Sequence, residues 1–305
     1  MTLGELSSVP RFLLNNQHRS PGSVPRYSNK KCRDLSERIA GRLISFGTES
    51  SRRRHRVFRA FDIWPRRREP EIMDRPDLDP HLHEQALRGL ERINLLSRSC
   101  AILWRPIRRL AHQSPRERLR ILDLATGAGD IPIALWRRAR RAGLAIEIEA
   151  CDRSSHALAH ARERAKRHGA EIRFFEWDAL GGPLPDAYDI VICSLFLHHL
   201  EPDDAVVVLK NMAASARRLV LVNDLRRSSG GWRLAWIGTR LLSTSRVVHV
   251  DGPLSVAGAF TCPEALDLAH RAGLDGARIA RRWPFRWLLS WSRPAIESQP
   301  NVRKS

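Results

Sequence analysis

Ile121-Leu122-Asp123-Leu124-Ala125-Thr126-Gly127-Ala128-Gly129-Asp130-Ile131-Pro132 is the stretch whose reading decides the fold. An apolar run broken by one acid passes through two glycines into an acid and a proline that suit the first turn of a helix. Glycines at a strand-to-helix turn let a ligand approach the backbone with no Cβ in the way, and they tolerate positive φ. A plain tight turn would use the same residues, so the surrounding pattern has to arbitrate.

That pattern alternates. Short apolar runs at 145–151, 171–175, 188–194 and 218–223 are separated by helical stretches, two of them closed by Gly143 and Gly169 and one opened by Glu201-Pro202-Asp203-Asp204. Alternation of this kind builds a mostly parallel sheet. Near the end, Trp283, Phe285, Trp287, Leu289 and Trp291 recur with period two, which predicts a strand paired antiparallel with 277–282. The expectation is an α/β chain with a seven-stranded, mostly parallel sheet, an antiparallel last strand pair, and helices on both faces. Leu82, Leu87, Leu90, Ile93 and Leu96, then 101–110, predict two helices ahead of it. Thr261 with Glu264 forms a capping-box pattern for a late helix, and Asp251-Gly252-Pro253 reads as a loop.

Two further acids strengthen the ligand reading. Asp152 closes the second strand 23 residues past Gly129, near the offset at which a carboxylate meets ribose hydroxyls. A helix-capping aspartate is the competing reading. Asp178-Ala179 follows the third strand, where a carboxylate can take a hydrogen bond from an adenine amino group; an ordinary loop acid would look the same. Carboxylates at successive strand ends agree with ligand binding along that edge. A dinucleotide oxidoreductase would want glycine or alanine where Pro132 stands, so it is disfavoured.

Asp123-Leu124-Ala125-Thr126-Gly127-Ala128-Gly129, Asp152, Asp178 and the segment Tyr188 to Leu200 together resemble the class I S-adenosylmethionine-dependent methyltransferases. Over residues 80–292 the chain is most similar to the ubiquinone/menaquinone-biosynthesis and small-molecule O-methyltransferase branch. The resemblance implies a Rossmann-like fold and S-adenosyl-L-methionine as cofactor. Asp123, Ala125, Thr126, Gly127 and Gly129 would hold its methionine part, Asp152 with Arg153 the ribose, and Asp178 with Ala179 the adenine, Ser194 standing close by. The segment after the fourth strand lacks the Asp/Asn-Pro-Pro-aromatic pattern of amino-group methylators, which disfavours base N-methylation.

Methyl transfer to oxygen needs in-line positioning and gains from a base. His198 and His199 follow the fourth strand and are the candidate bases, with His249 a third; all three could equally be loop residues. Asn223, Asp224 and Arg227 end the fifth strand and are candidate acceptor ligands. The expected acceptor is a small hydrophobic molecule of the phenol, quinol or polyketide-like class. A helix bearing Trp232, Leu234, Trp236, Ile237, Leu241 and Leu242, with Arg233 and Arg240 beside them, reads as core packing, as a lid over such an acceptor, or as a helix resting on a membrane surface.

The 305 residues carry a formal charge of +19, which raises a nucleic-acid partner as the rival function. Residues 1–72 hold 16 Lys+Arg against 7 Asp+Glu, nearly half the excess, and lack a long apolar period. They are expected to be a disordered basic segment, or to lie upstream of a natural start at Met73. The expected division is then a helical cap at 73–115, a methyltransferase domain at 116–292 and a disordered tail at 293–305. No specific nucleic acid is expected, although an RNA methyltransferase and an inactive partner protein remain the alternatives. Five scattered cysteines support neither a disulfide framework nor a metal site. With no signal sequence or long apolar run, the expected location is cytoplasmic.

Overall fold

Alternate residues of β1 (Leu119–Leu124) feed opposite cores: Leu122 and Leu124 pack on one side of the sheet, Leu119 and Ile121 on the other. Burial on both faces is what a central parallel strand requires. The computed structural model describes residues 64–294, apart from 76, 97, 115, 183 and 185. Beside β1 stand β2 (Ile146–Asp152), β3 (Ile172–Glu176), β4 (Tyr188–Ser194), β5 (Ala216–Leu225), β6 (Arg278–Arg282) and β7 (Arg286–Ser292), in the order β3-β2-β1-β4-β5-β7-β6. The first five are parallel, and β7 runs against both its neighbours. The expected sheet is thus found. Its strand order reverses beside β1, which opens a crevice at the carboxyl edge between β1 and β4.

Among the described residues eight α-helices accompany the sheet: α1 (Pro80–Leu96), α2 (Ser99–Gln113), α3 (Asp130–Arg141), α4 (Ser155–Arg167), α5 (Pro202–Ser215), α6 (Ser229–Leu242), α7 (Arg246–Gly258) and α8 (Cys262–Arg271). Residues of α2, α3 and α4 pack on the Ile121 face, and those of α5 and α8 on the Leu122 face. The capping box forms: Thr261 Oγ1 accepts the Glu264 N–H while Glu264 accepts the Thr261 N–H. Among the described residues, no helix is long and apolar enough to cross a membrane.

Three expectations are corrected. Asp251-Gly252-Pro253 lies inside α7 rather than in a loop. Its turn-like chemistry serves tertiary contacts, since the buried Asp251 carboxylate accepts the Ile72 and Met73 N–H groups at 3.0 Å each and a Cβ on Gly252 would come within 2.5 Å of Thr239. Trp283 and Phe285 precede β7 and form the turn of its hairpin, so the alternating strand begins only at Arg286. The large apolar residues of α6 do not join the core; its buried positions are Gly231, which lies against Phe285, and Thr239, which lies against Gly252 of α7.

Residues 1–63 lie outside the described residues, as do 295–305, but 64–74 form an ordered strap across α7 and the turn after β4. Arg66 donates to the carbonyls of Gly258 (2.7 Å) and Leu200 (2.6 Å) and stacks 4.0 Å over the Phe260 ring. Arg68 donates to His199 O and pairs with Glu201 at 2.6 Å. Apolar periodicity missed this segment because arginines bonded to exposed carbonyl ends, and not buried side chains, hold it.

Arg227 anchors the strap from below. Its guanidinium is buried and donates to Trp64 O (3.0 Å), Ala259 O (2.8 Å) and Glu264 Oε1 (2.6 Å). Replacing it by methionine removes a donor from two carbonyls and the charge partner of a half-buried carboxylate that keeps only the Thr261 N–H. Arg227→Met is expected to cost about 2–3 kcal/mol, below the full penalty for breaking a buried pair because Glu264 is partly solvated. Chemical denaturation measures the loss, and limited proteolysis should show faster cleavage near Trp64.

Candidate active site

The loop between β1 and α3 is shaped by its own acids. Asp123 ends β1 almost fully buried, and Thr126 Oγ1 donates to it at 2.6 Å. Burial first, then the nearby Asp152 and Asp130 charges, push its carboxyl up to about 7 against the opposing Thr126 bond. Asp152 accepts the Gly127 N–H at 2.8 Å and the Ser154 N–H at 2.9 Å, tying the loop to the end of β2. Each carboxylate oxygen keeps a lone pair for a ligand hydroxyl.

Ala125 (φ 54°), Gly127 (φ 55°) and Gly129 (φ 75°) all adopt left-handed backbone. Gly129 is needed for packing, because a Cβ there would lie 3.0 Å from Ala161. Above Gly127 nothing stands within 4 Å of where a Cβ would be. That open space over a loop of left-handed residues fits a small ligand passing close to the backbone. Asp178 closes a tight turn through the Leu180 N–H at 3.0 Å, and Asn211 holds the Ala179 carbonyl at 2.9 Å. Next to them the buried Trp177 Nε1 has no hydrogen-bond partner. Arg153 is exposed.

Strand alternation sorts the remaining candidates. Asp123, Ser194 and Asn223 follow Ile121, Ile192 and Leu221 on one face, and Asn223 Nδ2 donates to Ser194 Oγ at 2.9 Å. Arg286, two residues before Leu288, extends this row across β7. Its side chain is buried, and its Nε and Nη1 have no hydrogen-bond partner, nor has Asn223 Oδ1. The sequence reading missed Arg286; an arginine in register with buried apolar neighbours was the available signal.

Asp224 faces the other way. Its carboxylate accepts from the His198 ring at Nδ1 (2.6 Å), the His198 N–H (3.1 Å) and the Leu225 N–H (2.6 Å). Burial would push Asp224 up, but the His198 charge and these hydrogen bonds hold it below its ordinary value. Glu71 of the strap, also missed and without any sequence signal, brings Oε1 to 3.9 Å from His198 Nε2 and from His199 Nδ1. These three side chains could hold a metal ion, which scattered cysteines gave no reason to expect. Two other expected site residues are engaged elsewhere: His249 Nε2 meets Ser243 O at 2.7 Å within the α6–α7 pair, and Arg227 anchors the strap. Cys151 and Cys193 lie buried under the edge; desolvation first, then Asp123, raises both thiols, Cys151 to about 12.

A family model described as a methyltransferase domain matches residues 121–218. The demethylmenaquinone methyltransferase of Deinococcus radiodurans is 33% identical over 170 residues, covering 53% of this chain and 67% of that one. The chain belongs to the class I S-adenosylmethionine-dependent methyltransferases. The Thermus thermophilus demethylmenaquinone methyltransferase is 37% identical over 119 residues, 38% of this chain and 52% of that one, so the match spans between half and two thirds of these relatives. The solved S-adenosylmethionine-dependent methyltransferase SibL, in its apo form, superposes with TM-score 0.54 at 18% identity, covering 88% of this chain and 71% of that one, a likeness of fold.

The cofactor of this methyltransferase family carries positive charge on sulfur and on its amino group, and the buried acid of Asp123 suits a cation. Without ligand, a carboxyl raised from 3.8 to about 7 favours the protonated form, so the fold loses stability as pH rises from the ordinary carboxylate value toward 7. A bound cation favours the ionised form. Affinity for S-adenosylmethionine is therefore expected to increase as pH rises from 6 to 8, and Asp123→Asn should weaken binding about tenfold or more and flatten the dependence. Isothermal calorimetry at the two pH values checks both.

Proposed function

We propose that this chain transfers a methyl group from S-adenosylmethionine to an oxygen of a small hydrophobic acceptor of the phenol, quinol or polyketide-like class. The relatives named for demethylmenaquinone support an acceptor with a quinone-like ring. The observation that carries the oxygen reading is the buried Asp224–His198 pair at 2.6 Å on the same carboxyl edge as the glycine loop.

When bound, S-adenosylmethionine supplies an electrophilic methyl group on a sulfonium sulfur. Asp123, Gly127, Asp152 and the Asp178–Ala179 turn hold it. The proton of an acceptor hydroxyl is the chain's remaining task. Asp224 takes the Nδ1–H of His198, which fixes the tautomer and leaves a lone pair on Nε2 to receive that proton. The imidazolium so formed is stabilised by the carboxylate beside it. Arg286 and Asn223 hold buried, unpartnered polar atoms near the carboxyl edge that an oxygen-bearing group of the acceptor would satisfy.

The experiment is a panel of phenols and quinols incubated with the full chain and S-adenosylmethionine, with products followed by mass. A gain of one methyl group on oxygen is expected. His198→Gln should lower kcat by about 10²–10⁴ while leaving cofactor affinity within twofold, as loss of a general base does. Methylation of carbon alone, or of RNA in place of the small acceptors, would overturn the assignment.

A further inference from the structure

The outward face of α6 inverts the usual helix pattern. The small residues Gly231 and Thr239 are its buried positions, and Leu234, Ile237 and Leu241 stand 43%, 48% and 79% exposed. At 100° per residue these three fall within about 60° of arc, with Arg233 and Arg240 together on one side of it. Trp236, also exposed, carries the Arg240 guanidinium 4.1 Å above its ring. The β6–β7 turn continues the surface. Trp283 is 70% exposed, and Phe285 sits so close to the start of α6 that a Cβ on Gly230 would lie 2.7 Å from its ring.

The two segments that form this face carry side-chain charge of one sign only. No Asp or Glu occurs between Asp224 and Asp251, a stretch with five arginines, or between Asp275 and Glu297, which holds five more. Arg233, Arg240, Arg246, Arg278 and Arg281 are exposed. A second copy of the chain meeting this face across a two-fold axis would bring arginine against arginine, which disfavours self-association. An RNA would satisfy the arginines but leave Leu234, Ile237 and Leu241 against phosphate and sugar. An anionic lipid surface satisfies both, the apolar side chains entering the acyl boundary and the arginines meeting headgroups.

We propose that α6 and the Trp283–Phe285 turn form a docking face for an anionic membrane surface, with the helix lying in the plane of the headgroups. The proposal is independent of the acceptor. The full chain is sedimented with vesicles of phosphatidylcholine alone and of phosphatidylcholine mixed with phosphatidylglycerol. Binding to the mixed vesicles is expected, and the double variant Ile237→Asp, Leu241→Asp should partition at least about tenfold less while binding S-adenosylhomocysteine as the wild type does. In the unaltered protein, brominated acyl chains should quench tryptophan fluorescence, a result that does not depend on the variant folding. Equal partitioning of a folded double variant would show that basic residues elsewhere suffice and overturn the proposal. So would absence of quenching, or RNA binding that the double variant loses while vesicles bind neither form.

Discussion

Asp224 ends β5 out of contact with water and satisfies its carboxylate on the His198 ring, the His198 N–H and the Leu225 N–H. β5 is locked between β4 and β7, so this acid is a fixed point to which the turn after β4 is attached. The turn in turn presents the carbonyls of His198, His199 and Leu200, and those carbonyls receive Arg66 and Arg68. Through them the strap is laid down and Glu71 arrives beside both histidines. A buried carboxylate is costly unless it is fully paired, and the strap, the turn and the histidine pair are arranged around that pairing.

The sheet was legible in the sequence because its strands obey simple periodicities. Residues 188–194 read as an apolar run because both faces of β4 are covered, and the Thr261–Glu264 box marks the start of α8 by local chemistry alone. The glycine loop was legible for the same reason: its chemistry is local, decided by φ and by the absence of a Cβ. Legibility stopped where a residue's role is set by a distant partner. Asp251-Gly252-Pro253 has the composition of a turn, yet the Thr239 contact and the Ile72 and Met73 amides recruit it into a helix. The 64–74 strap has no period to detect, since it is held through arginine donors.

The candidate site follows the same division. Asp123, Gly127, Asp152 and Asp178 were placed by spacing along one edge, and strand order keeps them there. The histidines could be named from their position after β4, but the partner of each could not. The alternation that separates Asn223 from Asp224 is visible in the sequence, whereas the face that each acquires depends on which strands flank β5. Arg286 joins the row of Ser194 and Asn223 only because β7 inserts next to β5, a topological fact with no local signature.

The two cysteines beneath the edge have a consequence for an enzyme that handles an alkylating cofactor. Cys151 and Cys193 end β2 and β4 within the reach of the Asp123 charge, and burial with that charge keeps both as thiols at any physiological pH. A thiolate is the nucleophile and a thiol is a poor one. Burial first, and the neighbouring Asp123 second, suppress the ionisation of these two sulfurs, so the protein's own side chains are poor competitors for the methyl group.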